Sequence, residues 1–325
     1  EICACLVGSE MCIRDRGKDA AGIAYGSDMI FDHMSVTWGR DECFSINGDP
    51  KKPADLPRNI TIQNSFIGQG LQPHSCGGLI QTTINDGVTL YRNLYIDNKT
   101  RNPKVKGLNQ FVNNVLYNWG NGGAYIMGDT QQKSDADIRN NYFIVGTTDN
   151  YDGKKLGATA PFTRYNEHFS AYLSGNFYDD NKDGLLNGRE LGRADCMKKS
   201  VVAGEEIITS PTFLERPSDV HPEIKELMTA QEAYEWIVAN GGSSLPVRDE
   251  VDAYLIDELT SLGKKGLIIH SEEDIPTKGP GNIKSAKAPA DTDNDGMPDE
   301  FEDKYGLDKN DPADAMKVAS NGYTN

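Results

Sequence analysis

Short runs of alternating apolar and polar residues recur through the first half of the chain, bounded by Gly, Asn, Asp and Thr. Residues 28–37 alternate as a half-buried strand should. Similar segments follow near residues 60–67, 79–81, 88–96, 108–117, 136–145 and 169–178. Asn marks the repeat at Asn64, Asn93, Asn114, Asn141 and Asn176, with separations of 29, 21, 27 and 35 residues. An Asn side chain both donates and accepts, and Asn tolerates left-handed backbone. Stacked at one corner of successive coils, such residues can bond the backbone of the neighbouring turn. The pattern therefore predicts an all-β fold, a parallel β-helix in which each coil buries its inner face only by stacking on the next. An antiparallel sandwich would need hairpin dipeptides between nearly every strand pair, and turns like Asn85-Asp-Gly87 are few.

Beyond residue 228 the period becomes helical. Thr229 with Glu232 forms a capping box, and Gly241 stops the helix. Its apolar face is expected to hold Ala233, Trp236 and Ile237. A second helix is predicted over 248–262, with residues 210–214 as an irregular extension. This C-terminal helical arm is expected to cover an open face or end of the coil. Residues 1–16 fit none of the pattern and carry no recognisable export signal; they are expected to be a leader foreign to the fold, with sense beginning near Gly17. The expected division is thus 1–16 leader, 17–275 β-helix with arm, 276–290 linker and 291–325 appendage.

Composition narrows the function. The 325 residues carry a formal charge of -16 and a mean hydropathy of -0.57. No apolar run approaches the roughly 20 residues that span a bilayer. The acidity argues against nucleic acid, whose binding leans on Lys and Arg. It leaves an acidic carbohydrate open, because local field matters more there than net charge. Lys99, Arg101, Lys104 and Lys106 fall within eight residues: a basic cluster suited to an anionic polymer, or a solvated loop. Six Cys are present, without the spacing of a disulfide framework or a metal site. Cys43, Cys76 and Cys196 read as small buried hydrophobes.

Candidate chemistry lies in five places. Asp32 and His33 are neighbours on a predicted strand and so face opposite ways; His33 reads as a packed core histidine. Asp41 and Glu42 follow a turn and offer Ca2+ hard oxygen ligands. His74 sits in a loop near Gly77 and Gly78, which would let a ligand approach the backbone closely. Two stretches fit the calcium-loop template: Asp179, Asn181, Asp183, Gly184, Asn187 and Glu190, then Asp291, Asp293, Asp295, Gly296, Asp299 and Glu302.

Three motifs together, Ile30-Phe-Asp-His-Met-Ser35, Arg101-Asn-Pro-Lys-Val-Lys106 and Phe111-Val-Asn-Asn-Val-Leu-Tyr117, resemble the pectate lyase family (polysaccharide lyase family 1) in order and spacing. The resemblance runs from about Gly17 to Val251. It implies a right-handed parallel β-helix, secreted or at the periplasm or cell surface, that acts as a monomer on an acidic plant-type polysaccharide. Cleavage would be by β-elimination with Ca2+ as cofactor. On this reading Arg101 takes the proton from C5 of a galacturonate unit, Lys106 grips a substrate carboxylate, and Asp41 binds calcium with Glu42 beside it. Ser45 stands where the family has a second aspartate, and the lysine expected before Gly78 has no counterpart; His74, nearby, is the alternative proton acceptor. Lys104, Lys99 and Arg40 are the further substrate-binding candidates. The C-terminal loop resembles the thrombospondin type 3-like calcium repeats appended to secreted glycan-degrading enzymes. Two rivals stand beside this reading. One is a carbohydrate-binding β-helix without catalysis. The other is a hydrolase, which would need two carboxylates flanking the bond.

Overall fold

A computed structural model describes residues 18–48, 56–120, 123–128, 132–148, 150–151, 154–155, 160–165, 167–202, 204–245, 247–282, 287–320 and 324–325. The expected leader, with Cys3, Cys5 and Cys12, lies outside the described residues. Residues 1–281 and 282–325 form two compact units.

In the first unit each coil contributes three short strands. They are β1 (Ala21–Ile23), β2 (Ser27–Asp32) and β3 (Ser35–Thr37), then β4 (Phe44–Asn47), β5 (Arg58–Gln63) and β6 (Phe66–Gly68). The third coil holds β7 (Leu79–Gln81), β8 (Val88–Tyr91) and β9 (Leu94–Ile96); the fourth, β10 (Lys104–Lys106), β11 (Leu108–Val112) and β12 (Val115–Tyr117). The fifth holds β13 (Tyr125–Met127), β14 (Ser134–Arg139) and β15 (Tyr142–Ile144). A hairpin of β16 (Asn150–Tyr151) and β17 (Lys154–Lys155) precedes the sixth coil of β18 (Phe162–Thr163), β19 (Phe169–Ser174) and β20 (Phe177–Asp179). Every third strand pairs in parallel, which makes a first sheet β1-β4-β7-β10-β13-β18 and a second β2-β5-β8-β11-β14-β19. The third is β3-β6-β9-β12-β15-β20. The fold is a right-handed parallel β-helix, the hand that parallel crossovers take almost without exception. Afterwards β21 (Arg189–Glu190) pairs antiparallel with β20, and β22 (Lys198–Val202) and β23 (Glu205–Thr209) form a hairpin. β24 (Thr212–Phe213) lies parallel to β19, so the stretch expected to be irregular extends the second sheet instead.

The corner between the second and third sheets is two residues long in every coil. Its first residue is left-handed: His33, Asn64, Arg92, Asn113, Asn140 and Gly175, with φ between 49° and 62°. Its second residue forms the ladder. Asn93 Oδ1 accepts from Ser65 N at 3.0 Å, Asn114 Oδ1 from Asn93 N at 2.9 Å, Asn141 Oδ1 from Asn114 N at 2.8 Å and Asn176 Oδ1 from Asn141 N at 3.1 Å. Each amide also donates to a carbonyl in a neighbouring coil, as Asn114 Nδ2 does to Leu90 O at 2.9 Å. The expected ladder is thus one residue out at its start. Ser65 holds the rung position, while Asn64 holds the left-handed one and donates to Asp32 Oδ1 at 2.6 Å. His33 is no core histidine: it stands at the same corner, its side chain 39% exposed and its Nδ1 2.9 Å from Asp32 Oδ1.

Inward side chains of the first and second sheets, such as Ile46, Ile80, Val105, Phe111 and Ile138, share one core. The third sheet is buried on both faces. Tyr95, Leu116 and Phe143 point into the coil. Phe66, Leu94, Ile96, Val115, Tyr117, Tyr142 and Ile144 pack outward against α1 (Ala230–Asn240) and α2 (Glu250–Thr260). Such strands read as continuous apolar runs. On α1 the predicted capping box forms between Thr229 and Glu232. The buried face holds Ala230, Ala233, Tyr234 and Ile237. Trp236 is half-buried against the same cluster, and the guanidinium of Arg92 lies over its ring at 4.3 Å. Fully burying side chains like Ile237, Leu255 and Leu259 contributes about 2 kcal/mol each, and all three are 0% exposed. The arm is also pinned by Asp252 Oδ2, which accepts from Ser35 Oγ at 2.5 Å.

Asn114→Ala should destabilise the chain by about 3 kcal/mol, because it strands the buried Asn93 N–H and Leu90 carbonyl at once. Asn64→Ala should cost only about 1–2 kcal/mol, the strain of Ala in left-handed backbone. Urea unfolding of both variants checks the ranking, and equal losses would remove the ladder from the account.

Candidate active site

The corner leading from the third sheet to the first brings four coils together. Glu42 pairs with Cys76 and Cys76 with Thr100 as isolated parallel bridges. Ala20 N donates to Glu42 O at 3.0 Å, Cys43 N to Cys76 O at 2.9 Å and Gly77 N to Thr100 O at 3.0 Å. Gly77 and Gly78 are required here. A Cβ on Gly77 would lie 2.6 Å from Arg101 O, and one on Gly78 would lie 2.2 Å from Phe44 O. These glycines thus admit the neighbouring coils, not a ligand as their sequence context implied.

On this frame Arg101 Nη1 donates to Glu42 Oε1 in a tight ion pair, with Glu42 buried and Arg101 half-buried at φ 56°. His74 Nε2 lies 3.1 Å from Asp41 Oδ1. Asp19, which no motif pointed to, accepts from Glu42 N at 3.1 Å. Carboxylate oxygens of Asp19, Asp41 and Glu42 lie within 4.8 Å of one another, and Glu42, His74 and Cys76 form a second such group. Cys76 was read only as a buried hydrophobe; it is buried, but within this cluster. Lys99 Nζ donates to Pro73 O on the loop that carries His74. Lys104 and Lys106 flank the inward Val105 on β10, and so lie on the outer face of the first sheet. Arg40 donates its backbone N–H to Lys18 O at 3.0 Å and makes no ion pair among the described residues. Ser45 Oγ accepts from Leu79 N at 3.2 Å.

Burial, reinforced by the charges of Asp41 and Asp19, pushes the Glu42 carboxyl up to about 7, against the pull of Arg101. Burial also lowers the pKa of His74; Arg101 and Lys99 act the same way and Asp41 opposes them. Burial works against the charge of Arg101 too, but Cys76 and Glu42 outweigh it and its pKa is raised. At neutral pH the corner therefore presents a charged guanidinium beside a neutral imidazole.

The two predicted calcium loops differ. In the first, Asn187 donates to Asp179 Oδ2 at 3.2 Å and to Asp183 Oδ2 at 2.9 Å, and Asn181 Nδ2 to Asn187 Oδ1 at 2.6 Å. Glu190, its expected twelfth ligand, is an exposed residue of β21 and takes no part in this network. The second loop lies in the other unit. Oxygens of Asp291, Asp293 and Asp295 lie within 4.8 Å of one another, and Glu302 is fully buried on α3 (Asp299–Tyr305). Asp299 is turned to Thr292, accepting from its N–H at 2.7 Å and its hydroxyl at 2.8 Å.

No protein-family model matches the chain. It is similar to curated proteins named "Probable pectate lyase C". The one from Aspergillus flavus is 47% identical over 308 residues, which are 95% of this chain and 66% of that protein. The one from Aspergillus terreus is 48% identical over 312 residues, 96% of this chain and 67% of that protein. The chain thus spans about two thirds of the length of the curated relatives it matches. A solved pectate lyase from Bacillus sp. N165, in complex with trigalacturonate, is 14% identical with a TM-score of 0.42, over 70% of this chain and 64% of that one.

The His74 imidazole should titrate below the ordinary histidine range when followed by NMR. Asp41→Asn should lower its midpoint further, because Asp41 is the group that holds it up. A midpoint unmoved by the substitution would separate the two side chains.

Proposed function

The chain belongs to the pectate lyase family, and from that premise we propose that it cleaves galacturonate-containing pectic chains by β-elimination. The observation that carries the reading is the corner where Arg101 meets Glu42 and His74 meets Asp41, at the head of a strand bearing Lys104 and Lys106. A uronate carboxylate suits a guanidinium, whose planar fork can bind both oxygens. Glu42 keeps Arg101 charged, so Arg101 clamps that carboxylate and offsets the enolate-like charge that builds on it. The two lysines along β10 hold carboxylates of neighbouring sugar units. His74, neutral and oriented by Asp41, accepts the C5 proton. The electron pair of that C–H bond forms the 4,5 double bond as the C4–O bond breaks, and the departing oxygen takes up a proton.

The cluster Asp19, Asp41 and Glu42 fits Ca2+. It supplies three hard oxygen donors, and burial together with the charges of Asp41 and Asp19 already raises the proton affinity of Glu42. Bound there, Ca2+ would supply further positive charge to the substrate carboxylate. Because pectic chains are extracellular, the reading places the protein outside the cell. Among the described residues no helix is long and apolar enough to cross a membrane.

One observation favours the rival reading of a binding protein without catalysis. Ser45, which stands for a family aspartate, is buried and its hydroxyl is engaged by Leu79 N. Turnover separates the two. Ultraviolet absorbance of the 4,5-unsaturated product should rise with polygalacturonate, and faster with added Ca2+. Arg101→Ala should lower the rate about 10²–10³-fold, and His74→Ala about 10²–10⁴-fold. Polymer binding with no product from polygalacturonate or methylated pectin would favour the rival. Full activity in Arg101→Ala would take that residue out of the mechanism.

A further inference from the structure

The 282–325 unit holds carboxylates that its own hydrogen bonds leave unsatisfied. Glu302 is 0% exposed and Asp314 3%. Both oxygens of Glu302, both of Asp293, Oδ2 of Asp295 and Oδ1 of Asp314 are shielded from solvent without a hydrogen-bond partner. Oxygens of Asp295, Glu302 and Asp314 lie within 4.8 Å of one another, and Asp295 belongs equally to the group formed with Asp291 and Asp293. Buried like charges at this separation are costly unless a cation lies among them. The three lysines between Glu302 and Val318 have other partners. Lys309 pairs with Asp303 at 2.9 Å, Lys317 with Asp311 at 3.0 Å, and Lys304 lies over the Tyr305 ring at 5.0 Å.

We infer that this unit binds one Ca2+ through Asp291, Asp293, Asp295, Glu302 and Asp314, with Asp314 recruited from outside the loop in place of Asp299. The donor set is all oxygen and mostly carboxylate, which suits the larger, geometrically tolerant Ca2+ better than Mg2+, which keeps several waters. Asp314 reaches the cluster because α3 stops at Gly306, in left-handed backbone at φ 73°, and the chain doubles back. Its other oxygen, Oδ2, accepts from Asp308 N at 2.8 Å. One side chain thus joins the ion to the returning segment, and the ion holds residues 308–316 against the loop. Binding by the loop template alone would not order that segment.

The test uses the full chain and Ca2+ itself. Equilibrium dialysis with radioactive calcium should show a binding class that Asp314→Asn and Glu302→Gln each weaken about 10-fold or more. Glu300→Gln, an exposed change on the same helix, should leave it unmoved. Asn at 314 can still accept from Asp308 N, so the substitution removes a charge without removing that bond. Trypsin cleavage after Lys304 and Lys309, located by mass spectrometry, should slow on adding Ca2+ but not on adding equal Mg2+. In Asp314→Asn the protection should require correspondingly more Ca2+. An unchanged dialysis isotherm for Asp314→Asn, or cleavage in the wild type indifferent to Ca2+, would overturn the assignment. Because the substitutions and the cleavage sites all lie in this unit, a failure here leaves the lyase reading untouched, and the reverse also holds.

Discussion

The candidate site depends on the backbone bridges between Glu42 and Cys76 and between Cys76 and Thr100. Asp41, His74 and Arg101 come from three successive coils, and each would be an unremarkable loop residue alone. Stacking fixes their mutual positions because parallel strands on either side keep the coils in register. The glycines at 77 and 78 then let the neighbouring carbonyls approach closely. Arg101 adopts left-handed backbone, a conformation that is unfavourable for a residue with a Cβ. Its ion pair with buried Glu42 lies where that cost is incurred, as is common where strained backbone serves a site.

Rigidity at this corner is supplied from the opposite one. The buried Asn ladder satisfies backbone groups that a tight two-residue turn would otherwise leave unpaired. It also links each coil to the next through side chains as well as strands. The arm covers the outer face of the third sheet, while Lys104 and Lys106 lie on the outer face of the first. The chemistry of that face is thus set at one edge, on a support whose coils are tied together from the other.

The segments expected near 108–117 and 136–145 do hold strands, but each is two strands of different sheets, split at the Asn corner. The apolar runs Val115-Leu-Tyr117 and Tyr142-Phe-Ile144 beyond the corner belong to the third sheet. The ladder was legible because few residues other than Asn can serve a buried corner. Its register was not, since Asn also suits the left-handed position one residue earlier; Asn64 and Ser65 show the confusion. The β22–β23 hairpin left no signal, as its strands are largely exposed and have no inward face to pattern. At the site, Asp41, Glu42, His74 and Arg101 could be picked out as residue types, but Asp19 sits in no motif and enters only through coil stacking. Asp314 was hidden for a related reason. A turn after Gly306 brings it to the loop, and no spacing rule reaches that far. Helical period placed Trp236 on the apolar face, where it packs, but its stacking with Arg92 lies outside what period can reveal.

The most direct test of the account is a double-mutant cycle between Glu42 and Arg101, each changed to Gln, read by urea unfolding. If the stacked coils hold these side chains as one ion pair, the two losses should be non-additive, with a coupling of about 1–3 kcal/mol. Losses that simply add would mean that the coils do not bring the two residues together, and the proposed site would lose its foundation.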